Sequence, residues 1–219
     1  MVQPARRSAV VLLLVSALVL QGCSSNLRSG ALGGAAAGAV VGAIASGTAK
    51  GAILGAAVGG AAGAAIGSLM DRQAEDLQDK LPNAQVERVG EGIQVTFDSG
   101  ILFDVNSADL RAAARDNLTQ LAGSLEEFAG TEVLVVGHTD SSGAPEYNQA
   151  LSERRANAAR VFLAEAGLAT SRARATGMGE DEPVDSNDTP EGMQANRRVE
   201  IAIFASDDMQ AEMLRRHGG

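Results

Sequence analysis

The sequence predicts a modular α/β protein: an α/β sandwich, with a mixed sheet and helices on one face, preceded by a targeting segment and a glycine-rich helical hairpin. Three observations carry that reading. Of 26 glycines, 12 fall between Gly30 and Gly67. The first 70 residues hold Arg6, Arg7, Arg28 and Lys50 but no acidic residue, so all 27 acidic residues meet only 14 basic ones in the remainder. From about residue 84 onward, short β-branched runs alternate with segments of helical apolar periodicity, the pattern of one layer packed on another.

Residues 1–22 combine a basic start (Arg6, Arg7), an apolar run from Ala9 to Leu20 and the small Gly22 directly before Cys23, the layout of a signal peptide. The run is shorter than the roughly 20 residues that span a bilayer. Leu20-Gln21-Gly22-Cys23 resembles the lipobox of bacterial lipoproteins, which implies acylation at Cys23 and a lipidated linker over 23–29. Ser24, where an Asp would mark retention in the inner membrane, implies the cell outer membrane. Two or more acyl chains on one cysteine suffice for stable anchoring.

Residues 30–69 repeat glycine every fourth position, first at Gly30, Gly34, Gly38 and Gly42, then at Gly47, Gly51, Gly55, Gly59, Gly63 and Gly67. That spacing lines one stripe of a helix, where backbones approach closely in or against lipid. The polar break Ser46-Gly47-Thr48-Ala49-Lys50 suggests a glycine-zipper hairpin that embeds in membrane or self-associates into a homo-oligomer. A flexible low-complexity tether is the alternative. Residues 70–83 are expected as a short helical spacer, or the seam of a coiled coil, with Met70, Ala74, Leu77 and Leu81 on one stripe ended by Pro82-Asn83.

The domain is expected over 84–205. Strands are predicted at Val86–Val89 and Ile93–Phe97, with an extended piece at Ile101–Phe103. Ser107 is the expected N-cap of a helix with the stripe Leu110, Ala114, Leu118, Leu121, Leu125 and Phe128. Val133–Val136 is a buried strand. A second helix from about Pro145 to Ala166 carries Leu151, Ala158 and Phe162 and stops at Gly167. Thr189-Pro190-Glu191 opens a short helix, two strands lie near Arg172–Thr176 and Arg197–Phe204, and residues 206–219 form a tail.

Several function classes drop out. The acidic domain would be repelled by nucleic acid, where binding rests on neutralising phosphates. One cysteine allows no internal disulfide and no cysteine-based zinc site. His138, Asp140, Ser141 and Ser142 are close in sequence, but neighbours on one strand end do not converge as a triad, and no G-x-S-x-G elbow is present. No catalysis, cofactor or metal is expected.

Five motifs are recognisable in order: Phe103-Asp104-x-Asn106-Ser107-x-x-Leu110, Gly137-His138-Thr139-Asp140-x-x-Gly143, Asn148-x-x-Leu151-Ser152-x-x-Arg155-Ala156, Gly177-x-Gly179-x-x-x-Pro183 and Asn196-Arg197-Arg198-Val199-Glu200. Together they resemble the OmpA-like peptidoglycan-binding domain over roughly residues 95 to 204. The whole layout resembles the glycine-zipper OmpA-family lipoproteins of Gram-negative bacteria. The resemblance implies a periplasmic domain that tethers the outer membrane to peptidoglycan by binding meso-diaminopimelate of the peptide stem. Asp140 would accept from the ligand's ammonium and Arg155 would fork onto its carboxylate. Asn106, Asn148 and Arg197 would line the same pocket, with Leu151 beneath and Asp104 beside them. Other readings of these residues are an ion pair of Arg155 with Asp140 or Asp104, and Arg197 and Arg198 as charged residues of an edge strand. His138 reads as a packed or hydrogen-bonded strand residue; it also borders the expected pocket, where it would make binding respond to pH. A role in envelope assembly through the glycine hairpin is the competing function.

Overall fold

A computed structural model describes residues 48–217 of the chain; the targeting segment, Cys23 and the first run of the glycine ladder lie outside the described residues. Two helices, α1 (Ala49–Gly55) and α2 (Gly60–Lys80), precede the sheet. Then follow β1 (Gln85–Val89), β2 (Gly92–Asp98), the one-turn α3 (Ser99–Leu102), α4 (Ala112–Glu127), β3 (Thr131–Gly137), α5 (Pro145–Glu165), β4 (Ala173–Gly177), α6 (Pro190–Asn196), β5 (Arg198–Ala205) and α7 (Asp207–His217). The strand order is β1-β2-β5-β3-β4. Only β3 and β4 pair in parallel, joined through α5 as a parallel connection requires.

The last strand in sequence, β5, sits at the sheet's centre and is buried along its whole length. The edge-strand reading of Arg197 and Arg198 therefore fails, because β2 and β3 flank β5 on both sides. Side chains alternate across the sheet. One face carries Ile93, Val95, Phe97, Val133, Val135, Val199, Ile201 and Ile203, which pack with Leu118, Leu121 and Leu125 of α4, Ala159 and Leu163 of α5, and Ile66, Met70 and Leu77 of α2. That is the expected helical layer. The other face carries Leu134, Val136, Ala202 and Phe204, and α1 covers it with Ala49, Ala52 and Ile53, joined by its C-cap Ala56. The glycine-rich segment thus adds a cover to the second face.

The described part of the glycine ladder is broken where a continuous helix was expected. Gly59 and Gly60 take φ +74° and +65°, between α1 and α2. The Glu91 carboxylate accepts from the Val58 and Gly59 N–H groups at 2.7 Å each, anchoring that break to the β1–β2 turn. Gly63 faces the same carboxylate, and a side chain there would collide with it. Here the four-residue spacing serves close approach to the chain's own domain. Beyond it α2 runs unbroken through the expected spacer, with Met70, Ala74, Leu77 and Leu81 buried. Among the described residues no helix is long and apolar enough to cross a membrane.

Three local expectations are corrected. Ser107 caps a turn, accepting from Asp109 N–H at 2.8 Å, and α4 starts only at Ala112 because Leu110 forms a bridge with Phe103. Ile101 lies in α3, whose first turn is capped by Asp98. Residues 206–219, expected as a tail, carry α7, which packs Met209 and Met213 against the core.

The helix that matters most for the site is α5. Its buried stripe runs through Asn148, Leu151, Ser152, Arg155, Ala156, Ala159 and Leu163, so Arg155 lies within the stripe and Ala158 and Phe162 flank it. Side chains at Gly137 or Gly177 would strike the Ser152 carbonyl and the Glu153 N–H, both backbone groups that cannot rotate away. Ser152 completes the seam: its hydroxyl accepts from Gly179 N–H at 2.9 Å and donates to Gln149 O at 2.8 Å.

On the second face, beside α1, His138 is fully buried near the ion pair of Arg198 Nε with Glu200 Oε1 at 2.7 Å; His138 Nε2 lies 4.0 Å from Glu200 Oε2. Burial, seconded by the Arg198 charge, pushes the imidazole pKa down to about 3. An unfolded chain protonates His138 near 6.5, so between those values the unfolded state binds more protons and stability falls as pH falls. Denaturant midpoints of the full chain should decline from pH 6.5 to pH 5, and His138→Gln should flatten that slope. An unchanged slope in the variant would refute the assignment. Gly177→Ala should lower stability by about 1–3 kcal/mol through overpacking, measured by denaturant unfolding.

Candidate functional site

The ends of β2 and β3, the start of β5 and the N-terminal turns of α5 meet around a cleft of about 460 Å³. Its lining includes Asp104, Asn106, Asp140, Asn148, Leu151, Arg155 and Arg197, so all seven residues singled out from the sequence meet at one place. They come from four separate stretches of chain. His138 points to the opposite face and does not line the cleft.

Asp140 stands just past the end of β3, after His138 and Thr139, and is 6% exposed. Its Oδ1 accepts from Ser142 N–H at 2.9 Å, the Asx turn expected where a strand ends on an Asp. Its Oδ2 accepts from Arg197 Nη1. Burial acts to raise the carboxyl pKa, but the hydrogen bonds from Arg197 and Ser142 and the Arg197 charge outweigh it and hold Asp140 below its usual value. The loop behind it is braced. Asn196 receives the Val184 and Asp185 N–H groups on Oδ1 and donates from Nδ2 to Asn187 Oδ1, which in turn accepts from Ser141 N–H at 3.3 Å.

Arg155 is 5% exposed and pairs with neither carboxylate proposed for it. Its Nε donates to Ser107 O at 2.9 Å and its Nη2 reaches Asp104 O at 3.5 Å, while the guanidinium lies over the Phe103 ring, 5.4 Å from the centroid. The Asp104 carboxylate instead faces Arg111, at 3.5 Å from Nε. Burial pushes the Arg155 pKa below its ordinary value, with Tyr147 and Asp140 opposing and Arg197 assisting. A guanidinium remains charged even so. The cleft therefore holds one anion already paired and one buried cation whose hydrogen bonds go to neutral carbonyls.

The remaining expected residues shape the walls. Asn148 donates to Asp140 O at 3.2 Å and to the Glu180 carboxylate, linking α5 to the Asp140 loop. Leu151 is buried beneath, at the cleft floor. Asn106 has φ +56°, the only non-glycine residue with positive φ among the described residues. Asparagine tolerates that region better than most residues, and such outliers gather at binding sites. Sequence reasoning missed Gln194, which lies in α6: its Nε2 donates to Asp98 Oδ2 and its Oε1 accepts from Arg197 Nη2. The Asp140–Arg197 pair was likewise not foreseen. The two residues are 57 positions apart, and no local pattern signals the pairing. Among the described residues no group of His, Cys, Asp and Glu could hold a metal ion.

Residues 102–197 match the OmpA family, and residues 5–71 match the YMGG-like Gly-zipper family. A protein of Escherichia coli K12 named "Probable lipoprotein YiaD" is 39% identical over 136 residues, covering 61% of this chain and 62% of that protein. This chain thus spans less than two thirds of that relative's length. The outer-membrane lipoprotein YfiB of Pseudomonas aeruginosa is 37% identical over 115 residues, covering 52% of this chain and 68% of YfiB. Among solved structures, the cell wall anchor of the T6SS from Pseudomonas aeruginosa is 34% identical with a TM-score of 0.54, covering 63% of this chain and 97% of that one. Sequence, fold and cleft agree: the chain belongs to the OmpA family.

Proposed function

We propose that the cleft binds the peptide stem of peptidoglycan at meso-diaminopimelate, without catalysis, and so tethers the outer membrane to the wall. The observation that carries this reading is the charge layout: a buried Arg155 with no carboxylate partner stands in the same cleft as Asp140. One end of the diamino acid presents an ammonium and a carboxylate on a single carbon. Arg155 offers the planar fork that fits a carboxylate. Asp140 has about four acceptor sites, and Arg197 and Ser142 take up only part of that capacity, leaving room for the ammonium beside Arg197. The likeness to a cell wall anchor at 34% identity supports the same reading. An acylated Cys23 would supply the membrane end of the tether, with the domain in the periplasm. Assembly through the glycine segment is less favoured, because Gly63 is engaged by the chain's own Glu91.

The full chain should co-sediment with purified peptidoglycan, and free meso-diaminopimelate should compete. Asp140→Ala and Arg155→Ala should each weaken binding at least tenfold, since removing one partner of a buried charged contact typically costs about 2–5 kcal/mol. Arg155→Lys should recover only part of the loss, because an ammonium cannot fork. Undiminished binding by both alanine variants would remove the cleft from consideration. Because Asp140 is held below its usual value of 3.8, it stays ionised from neutral pH through pH 5, and binding should be flat across that range. Below it, as Asp140 takes up a proton, binding should fall.

A further inference from the structure

A second groove, of about 430 Å³, lies on the face of β1, β2 and β5 that carries Gln94, Thr96, Arg198 and Glu200. Its charges are matched internally. Arg198 is paired with Glu200, Lys50 with Glu87 at 3.2 Å, and Asp98 accepts from Gln194 and from Gly100 N–H. The first cleft, by contrast, holds the unpaired Arg155. What remains in the groove is neutral polar chemistry, from Asn83, Gln85, Gln94, Thr96 and Gln194. Two of its buried side chains carry atoms with no protein partner: Gln94 Oε1, an acceptor, and Arg198 Nη2, a donor. Gln94 is buried at the floor, and the exposed Asn83, Gln85 and Gln194 around it offer amide donors and acceptors suited to an uncharged polar ligand.

Gln194 lines both the groove and the first cleft, and its side chain bridges Asp98 of the one to Arg197 of the other. We propose that this groove is a subsite for an uncharged, amide- and hydroxyl-bearing saccharide, namely the N-acetylated glycan that carries the stem held in the first cleft. The inference rests on the peptidoglycan reading for its choice of saccharide. Stem chemistry puts the diamino acid third from the sugar, so about three extended units, roughly 10 Å, separate the two. That span suits two pockets sharing one wall.

The test is calorimetric titration of the full chain with two probes: a disaccharide of N-acetylglucosamine and N-acetylmuramic acid bearing a diaminopimelate tripeptide, and the same tripeptide without sugar. The sugar-bearing probe should bind about tenfold more tightly, a gain of roughly 1.4 kcal/mol. Asn83→Ala, at an exposed position, and Gln94→Leu, in the floor, should each erase most of that gain and leave the tripeptide affinity unchanged. Equal affinities for the two probes in the native chain, or a gain that survives Asn83→Ala with Gln94→Leu, overturns the subsite. If the tripeptide fails to bind but the sugar-bearing probe binds and is weakened by these variants, the subsite stands and the reading of the first cleft falls.

Discussion

The contact between α5 and the ends of β3 and β4 governs the geometry of the cleft. With no side chain at Gly137 or Gly177, the backbone of α5 at Ser152 and Glu153 rests directly on the strands, and Ser152 bonds across to Gly179. A helix fixed at that point presents Asn148 one turn before it and Arg155 nearly one turn after it on the same buried stripe. One spacer methyl would move both. Asp140 leaves the end of β3 at the same edge, in the crevice where open α/β sheets bind ligands. The cleft is therefore set by backbone packing at two glycines as much as by its charged groups.

Given that frame, electrostatics divides the work between the sheet's two faces. At the strand ends Asp140 is neutralised by Arg197, so the buried Arg155 guanidinium, lying over Phe103 and donating to two backbone carbonyls, tips the inner cleft toward an anionic group. On the second face the buried Arg198 is matched by Glu200, and His138 is kept neutral. Isolated buried charge is costly, which is why a cation such as Arg155 is informative where a matched pair such as Arg198–Glu200 is not. Arg197 occupies an intermediate place: it screens Asp140 and, through Gln194 and Asp98, ties the cleft to the second groove.

The strands were legible because continuous apolar runs such as Val133–Val136 are hard to place elsewhere than in a sheet, and α5 was legible from Pro145 at its start and Gly167 at its end. The cleft residues were legible only through their motifs, since Asn106, Asp140, Arg155 and Arg197 meet by tertiary folding. Partner choice was not. Arg155 shows in sequence as a residue bordering a stripe, and only packing against Phe103 and the loop before α4 removes it from any carboxylate. His138 is packed, as its strand position suggested, but it does not border the pocket: side chains alternate along an extended chain, so His138 and the cleft-lining Thr139 point to opposite faces.

The glycine ladder was the feature most open to misreading, because small residues every four positions mean close approach without naming what approaches. In α1 and its C-cap it is Ala49, Ala52, Ile53 and Ala56 that meet the sheet, while Gly55 stays exposed; in α2, Gly63 turns inward to the Glu91 carboxylate. The two helices use one repeat in opposite senses, separated by the break at Gly59-Gly60. The apolar contacts of the first with Leu134, Val136, Ala202 and Phe204 make this part of the repeat a layer of the domain, so its small residues serve the packing of the chain on itself.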